Sequence, residues 1–251
     1  MFINNINPVL LKIGFLEIRY YGIVYVLGFI SLYFILIKKR KELKIKREQI
    51  DSLLLWLIIG LIIGARFFHF IFSDPLIFLK NPLELFMLWH GGMSFFGGLL
   101  GGFTALYLYI KKTMLEWKRF ADIGAIIGIF ALALGRIANY VNSEIVGTAS
   151  NLNWCVIFQK IDNICRHPYQ IYAAISHLIL FGILLFIWKN NKKRKSGFIF
   201  ANFLIGYGLF RFITDFFRQD LTYLGLSIWQ YMSLLLIIIG ILFLRKIKKS
   251  N

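Results

Sequence analysis

The sequence predicts an all-α polytopic membrane protein with about seven transmembrane helices, its N-terminus outside and its C-terminus inside. Three observations lead there. The 251 residues are 59% hydrophobic and only 16% charged, with a mean hydropathy of +0.70, more apolar than a soluble domain of this length. Several apolar runs reach the roughly 20 residues needed to cross about 30 Å of hydrocarbon. Lys and Arg gather in every second connection, at 38–47, 111–119, 189–195 and 245–249. Basic connections stay on the cytoplasmic side, so this alternation orients the chain. The formal charge of +17 therefore faces anionic lipid, and nucleic acid is excluded as a partner.

The elements follow in chain order. Residues 1–18 lack the basic start and small-residue cleavage site of a signal peptide, and "PVLLKIGFLEI" (8–18) is expected in the outer interface. Spans are expected at 19–37, 51–72, 92–110, 120–140, 168–188, 197–214 and 228–244. The connection "FSDPLIFLKNPLELFMLWHGG" (72–92) has two prolines and two bulky apolar stretches, as a half-buried interfacial segment would. The connection at about 141–167 holds a β-like run at 154–158 that returns through Asp162 and Asn163, a pattern for a small hairpin on the outer face. Its two cysteines, Cys155 and Cys165, could bridge in an oxidising compartment or stay as separate thiols. With no soluble insertion, long linker or internal repeat, residues 1–251 read as a single integral membrane domain.

Charges buried in the spans are the candidates for function. Arg66, Arg136 and Arg211 all fall on even-numbered spans, at a similar distance from the inner end. An arginine at the centre of a span costs about 2.5–3.5 kcal/mol to insert. A single one could snorkel to the interface or pair with Glu144 or Asp215. Three at one level, beside Asn139 and Asn142, point to a shared anionic ligand, and a guanidinium matches a lipid phosphate bidentately. Gly97, Gly98, Gly101 and Gly102 are expected to let neighbouring helices approach. Gly91 and Gly92, just before the third span, can expose backbone N–H groups to an anion. No cluster suggests a metal, and no cofactor is implied.

The stretch "GRIANYVNSEIVG" (135–147) resembles the signature of the prolipoprotein diacylglyceryl transferase family, with Tyr140 where Phe is usual. "GGMSF" followed by "GG", "RHPYQIY" (166–172) and "YGLFRFITDFFR" (207–218) match further motifs of the family in the same order. The resemblance covers essentially the whole chain. It implies a multi-pass enzyme of the bacterial inner (plasma) membrane. Its partners would be phosphatidylglycerol, the signal peptide and lipobox of a prolipoprotein, and membrane lipids. Diacylglyceryl would pass from phosphatidylglycerol to the lipobox cysteine thiol, forming a thioether and releasing glycerol phosphate.

Carried onto this sequence, the resemblance makes Arg136 and Arg211 the binders of phosphate or headgroup, and Glu144 a catalytic residue that orients an arginine. Asn139, Asn142, Tyr21, Tyr207 and Arg66 become substrate-binding residues, and Gly147 a backbone turn. Asp215 joins the substrate-binding residues and stands where the family usually has Glu, with the charge kept and the reach one methylene shorter. One departure bears on the chemistry: Phe96 occupies the place of a family histidine proposed to accept the thiol proton. His90 lies six residues earlier as a possible displaced base, and His69, His167 and His177 are the others. The alternative reading is a family-like protein that binds phosphatidylglycerol or prolipoprotein without turnover.

Overall fold

The computed structural model describes residues 2–14, 16–72, 75–87, 92–191 and 194–249, and describes the backbone alone at 13, 16, 42, 77–79 and 95–96. Within these the chain is mostly helical. The long helices are α1 (Tyr20–Leu43), α2 (Arg47–Phe72), α4 (Phe95–Thr113), α5 (Trp117–Asn142), α6 (Tyr169–Asn190), α7 (Phe198–Thr214) and α8 (Ile228–Lys249), with a short α3 (Pro75–Lys80) between α2 and α4. Six of them are long and apolar enough to cross a membrane. The expected third span is the seventh long helix, α4, whose last turn carries Lys111 and Lys112. The all-α polytopic class holds. Most helices outrun their apolar stretches: α1 continues through Arg40 and Lys41, because basic side chains suit a helix C-terminus.

The chain divides into two compact units, residues 1–31 with 118–251, and residues 32–117. In the second, α2 and α4 pack through glycines. A Cβ on Gly64 would lie 2.2 Å from the carbonyl oxygen of Gly97, and one on Gly101 would lie 2.1 Å from that of Gly60. Only glycine permits so close an approach. The expectation therefore holds for Gly97 and Gly101. A Cβ on Gly98 would make ordinary contact, and one on Gly102 would meet nothing.

In the first unit, Ile126 and Ile129 of α5, Leu180 and Leu184 of α6 and Ile199 of α7 form one apolar core. Asp122 of α5 is buried, and its carboxylate accepts the N–H groups of Gly197 and Phe200, each at 2.8 Å. It thereby satisfies the open end of α7 from another helix. The 141–167 segment folds as the β-like run implied. Strand β4 (Val156–Phe158) pairs antiparallel with β5 (Cys165–Arg166). An N-terminal strand, β1 (Phe2–Asn4), adds to β4 in parallel, which no local pattern announced. Cys155 and Cys165 form a disulfide with Cα atoms 5.5 Å apart, closing the question the sequence left open. Residues 9–19 form a second hairpin, β2 (Val9–Ile13) with β3 (Leu16–Arg19), which leaves Leu10, Leu11 and Ile18 exposed. A third, β6 (Thr222–Tyr223) with β7 (Leu226–Ser227), leads into α8.

Candidate active site

The end of α5 gathers the signature residues. Glu144 is flanked by Ser143 (φ 60°) and Ile145 (φ 52°), both in the left-handed region. A β-branched residue there costs of order 1–3 kcal/mol and persists only where its surroundings hold it. Those surroundings are visible. The Glu144 N–H donates to the Asn139 carbonyl at 2.9 Å, and its own carbonyl accepts Gln170 Nε2 at 2.7 Å. Its carboxylate accepts Asn139 Nδ2 at 2.9 Å and Asn142 Nδ2 at 3.1 Å. Asn139 Nδ2 also donates to the Tyr21 hydroxyl, and Asn139 Oδ1 accepts Arg136 Nη1 at 3.4 Å. Glu144 therefore acts on Arg136 through Asn139 rather than by a direct ion pair. Among the described residues, Arg136 finds no other hydrogen-bond acceptor, and its guanidinium lies 5.8 Å from the Tyr169 ring centre.

A second cluster sits at the end of α7. Arg211 Nη1 donates to the Tyr207 hydroxyl at 2.8 Å, and Arg211 Nε lies 3.4 Å from Asp215 Oδ2. The other Asp215 oxygen accepts the Tyr169 hydroxyl at 2.6 Å. The Arg211 guanidinium also stands 5.3 Å from the Trp229 ring. His177 stacks on Tyr207 at 5.5 Å, and its buried Nδ1 has no hydrogen-bond partner among the described residues. Tyr169 links the two clusters: one face of the site reaches it from Arg136, the other through Asp215 and Arg211.

Arg218 completes the arrangement. Its guanidinium stands 5.8 Å from Tyr169 and 5.6 Å from Trp229 and pairs with Asp220 at 3.1 Å. Burial pushes the Asp220 carboxyl above its ordinary value. Gly147 places Arg218. The two residues form a β-bridge, flanked by bonds from Thr148 N–H to the Phe217 carbonyl and from Gln219 N–H to the Val146 carbonyl. A Cβ on Gly147 would lie 2.3 Å from the His167 carbonyl oxygen. Its role here is a close approach between strands, where the resemblance implied a turn. Arg166, buried, ties the same place together through the Gly147 carbonyl at 3.3 Å and Gln219 Oε1 at 2.7 Å.

The structure thus brings together Tyr21, Arg136, Asn139, Asn142, Glu144, Tyr207, Arg211 and Asp215. Arg66 belongs to the other unit and has a different environment. It is 2% exposed and donates to the carbonyls of Leu85 at 3.3 Å, Gly92 and Met87 at 3.0 Å each, and Glu84. Gly92 (φ 73°) meets Arg66 through its carbonyl, and its missing Cβ leaves room for the His69 ring. His90 and Gly91 lie outside the described residues, as does the Phe96 side chain. His167 shapes a turn: its carbonyl accepts Tyr169 N–H at 2.8 Å and its ring packs on Tyr172 and Phe217.

Sequence reasoning missed Tyr169, Gln170 and Arg218 as site residues. Arg218 had a signal, since it closes the run "YGLFRFITDFFR" seven residues after Arg211. Among the described residues no group of His, Cys, Asp and Glu could hold a metal. What the site offers instead is a set of preorganised cations between aromatic rings, suited to a dispersed negative charge.

Residues 8–245 match the family model described as prolipoprotein diacylglyceryl transferase. Three relatives carry the name phosphatidylglycerol–prolipoprotein diacylglyceryl transferase. That of Idiomarina loihiensis is 38% identical, over 98% of this chain and 94% of its own length. That of Vibrio cholerae is 39% identical, over 95% of this chain and 90% of its own. That of Nitrosomonas europaea is 38% identical, over 94% and 87%.

Proposed function

The chain belongs to the prolipoprotein diacylglyceryl transferase family, and on that premise we propose that Arg136 and Arg211 hold the phosphate of phosphatidylglycerol while its diacylglyceryl group passes to a prolipoprotein cysteine. The activity is this transfer, the first step of lipoprotein maturation. The cysteine sulfur bonds to the diacylglyceryl carbon as that carbon's bond to phosphate oxygen breaks. The electron pair leaves on glycerol phosphate. The leaving group needs its charge stabilised more than it needs a proton, which is what fixed guanidiniums in a low-dielectric site supply. The observation that carries this is the donor set of Arg136: one hydrogen-bond acceptor at 3.4 Å and an aromatic ring, with its remaining N–H groups uncommitted among the described residues.

In this reading Glu144 locks the two asparagines, and through Asn139 it aims Arg136. Tyr207 aims Arg211. The nucleophile works as a thiolate, and an ordinary cysteine near pKa 8.5 is only slightly ionised at neutral pH. The cation cluster favours ionisation, and solvent takes the proton, since Phe96 cannot. The enzyme lies in the bacterial inner membrane, N-terminus outside, with this cluster toward the outer leaflet and the prolipoprotein's lipobox entering from the lipid.

The test is a transfer assay on the purified protein with phosphatidylglycerol and a lipobox peptide. The peptide should gain one diacylglyceryl group with Phe96 in place, and Phe96→His should change the rate little. An inactive natural chain that Phe96→His activates would show that the proton needs a side chain at this position.

A further inference from the structure

Tyr169 is buried, with 1% of its surface exposed, yet its polar end is aimed at the site. Its hydroxyl donates to Asp215 Oδ1 at 2.6 Å. Asp215 lies four residues after Arg211, one helical turn on. That spacing normally lets a carboxylate take a guanidinium by two parallel charge-assisted bonds, each about 2.7–2.9 Å. Here it does not. The approach is by Arg211 Nε, 3.4 Å from Oδ2, longer than a charge-assisted bond, and that buried Oδ2 has no aligned hydrogen bond among the described residues. The oxygen that would complete the pair is committed to Tyr169.

We propose that Tyr169 is a positioning residue for the transfer reaction: its hydroxyl holds the Asp215 carboxylate off the hydrogen-bonding fork of Arg211, and so keeps that guanidinium available to the phospholipid phosphate. Without the hydroxyl, Asp215 Oδ1 would be a buried acceptor with no donor, a costly state. The cheapest remedy is rotation onto Arg211. A bidentate Arg211–Asp215 pair has little charge and few donors left for a second anion. The Tyr169 ring adds a second constraint, because the guanidiniums of Arg136 and Arg218 both stand 5.8 Å from it. One side chain therefore spaces two cations by its face and frees a third by its hydroxyl. The inference rests on Arg211 binding the headgroup, as proposed above.

The experiment is steady-state kinetics in detergent–lipid micelles, with phosphatidylglycerol and lipobox peptide varied separately. Tyr169→Phe should raise the KM for phosphatidylglycerol roughly tenfold or more, the scale of one charged hydrogen bond, and leave the peptide KM unchanged. Adding Asp215→Ala to Tyr169→Phe removes the competitor and should recover most of the loss. A role in packing alone predicts the reverse, a double variant worse than either single one, and that result would overturn the proposal. Arg211→Lys, run alongside, separates the two levels. If it raises the phosphatidylglycerol KM while Tyr169→Phe does not, the positioning role alone falls. If Arg211→Lys leaves that KM unchanged, the headgroup reading falls and takes this inference with it. Should Tyr169→Phe fail to accumulate, Asp215→Asn in the natural chain decides: a neutral amide competes less for Arg211, so the KM for phosphatidylglycerol should rise less than in Arg211→Lys, and an equal or larger rise would overturn the proposal.

Discussion

Arg66 and Arg136 sit in apolar helices at comparable distances from the first residues of those helices, and they use their donors in opposite ways. Arg66 spends its guanidinium on four backbone carbonyls between Glu84 and Gly92. It gathers carbonyls from the 3-10 helix Pro82–Phe86 and from Met87 and Gly92 beyond it, since carbonyls withdrawn from water must find donors somewhere. Arg136 meets one side-chain oxygen and one aromatic face. Position along a helix did not distinguish the two. Accounting for each N–H did: an arginine whose donors are consumed by backbone organises the fold, and on the function proposed above one whose donors are held out beside a ring is kept for a ligand.

That contrast can be broken by exchange of phenotype. Arg136→Ala should lower kcat by about 10²–10³, the cost of removing one donor from a developing oxyanion, with thermal unfolding in detergent little changed. Arg66→Ala should show the converse. It leaves several buried carbonyls without donors, each worth about 1–3 kcal/mol, so early proteolysis between Glu84 and Met87 and a large fall in melting temperature are expected. An Arg66→Ala protein that melts normally but cannot turn over would place Arg66 with Arg136 as a ligand arginine.

The next effect in size belongs to the disulfide. Cys155 and Cys165 close a short loop, for which chain entropy gives about 3 kcal/mol. Cys155→Ser and Cys165→Ser should each lower the melting temperature, and reductant should do the same to the natural chain but not to either variant. Activity should fall less than stability, because the loop touches the Arg136 cluster indirectly, through Phe158 packed on Tyr140 and through Arg166, which holds Gly147.

The smallest expected effect is on pH. The Arg166 guanidinium, with help from the Ile164 N–H, holds the Asp162 carboxyl below the usual carboxylate range. A depressed carboxylate stabilises the fold fully above its unfolded pKa of about 3.9 and loses that contribution as pH falls through the lower folded value. Acid unfolding monitored between pH 5 and pH 2 should therefore be shallower in Asp162→Asn. An unchanged acid limb would mean the ion pair with Arg166 contributes nothing measurable.

Much of this was legible in the chain because the signals were local. Apolar length gave the helices. The small-residue spacing at Gly97 and Gly101 announced a close helix contact without naming the partner helix, and the β-like run at 154–158 announced the hairpin. The signature run put Arg136, Asn139, Asn142 and Glu144 within a few turns, so their gathering needed only a helix end. What stayed hidden depends on contacts between distant residues. Tyr169 reaches Asp215 across 46 positions, and nothing in "RHPYQIY" says where its phenol points. Arg66 finds carbonyls 18 to 26 residues away, in and beyond a short 3-10 helix that no apolar pattern marks. The parallel pairing of Phe2 with Val156 brings together two short runs that carry no mutual mark.

The central claim is that Arg136 and Arg211 grip phosphate by geometry as well as by charge. The most direct test is the kcat/KM for phosphatidylglycerol of Arg136→Lys and of Arg211→Lys, measured on protein shown to be inserted and folded. A lysine keeps the charge and loses the planar, bidentate donor pair. The account predicts a fall of at least about tenfold in each variant, the scale of a charged hydrogen bond. Lysine variants as active as the natural chain would contradict it and leave both arginines as packing residues.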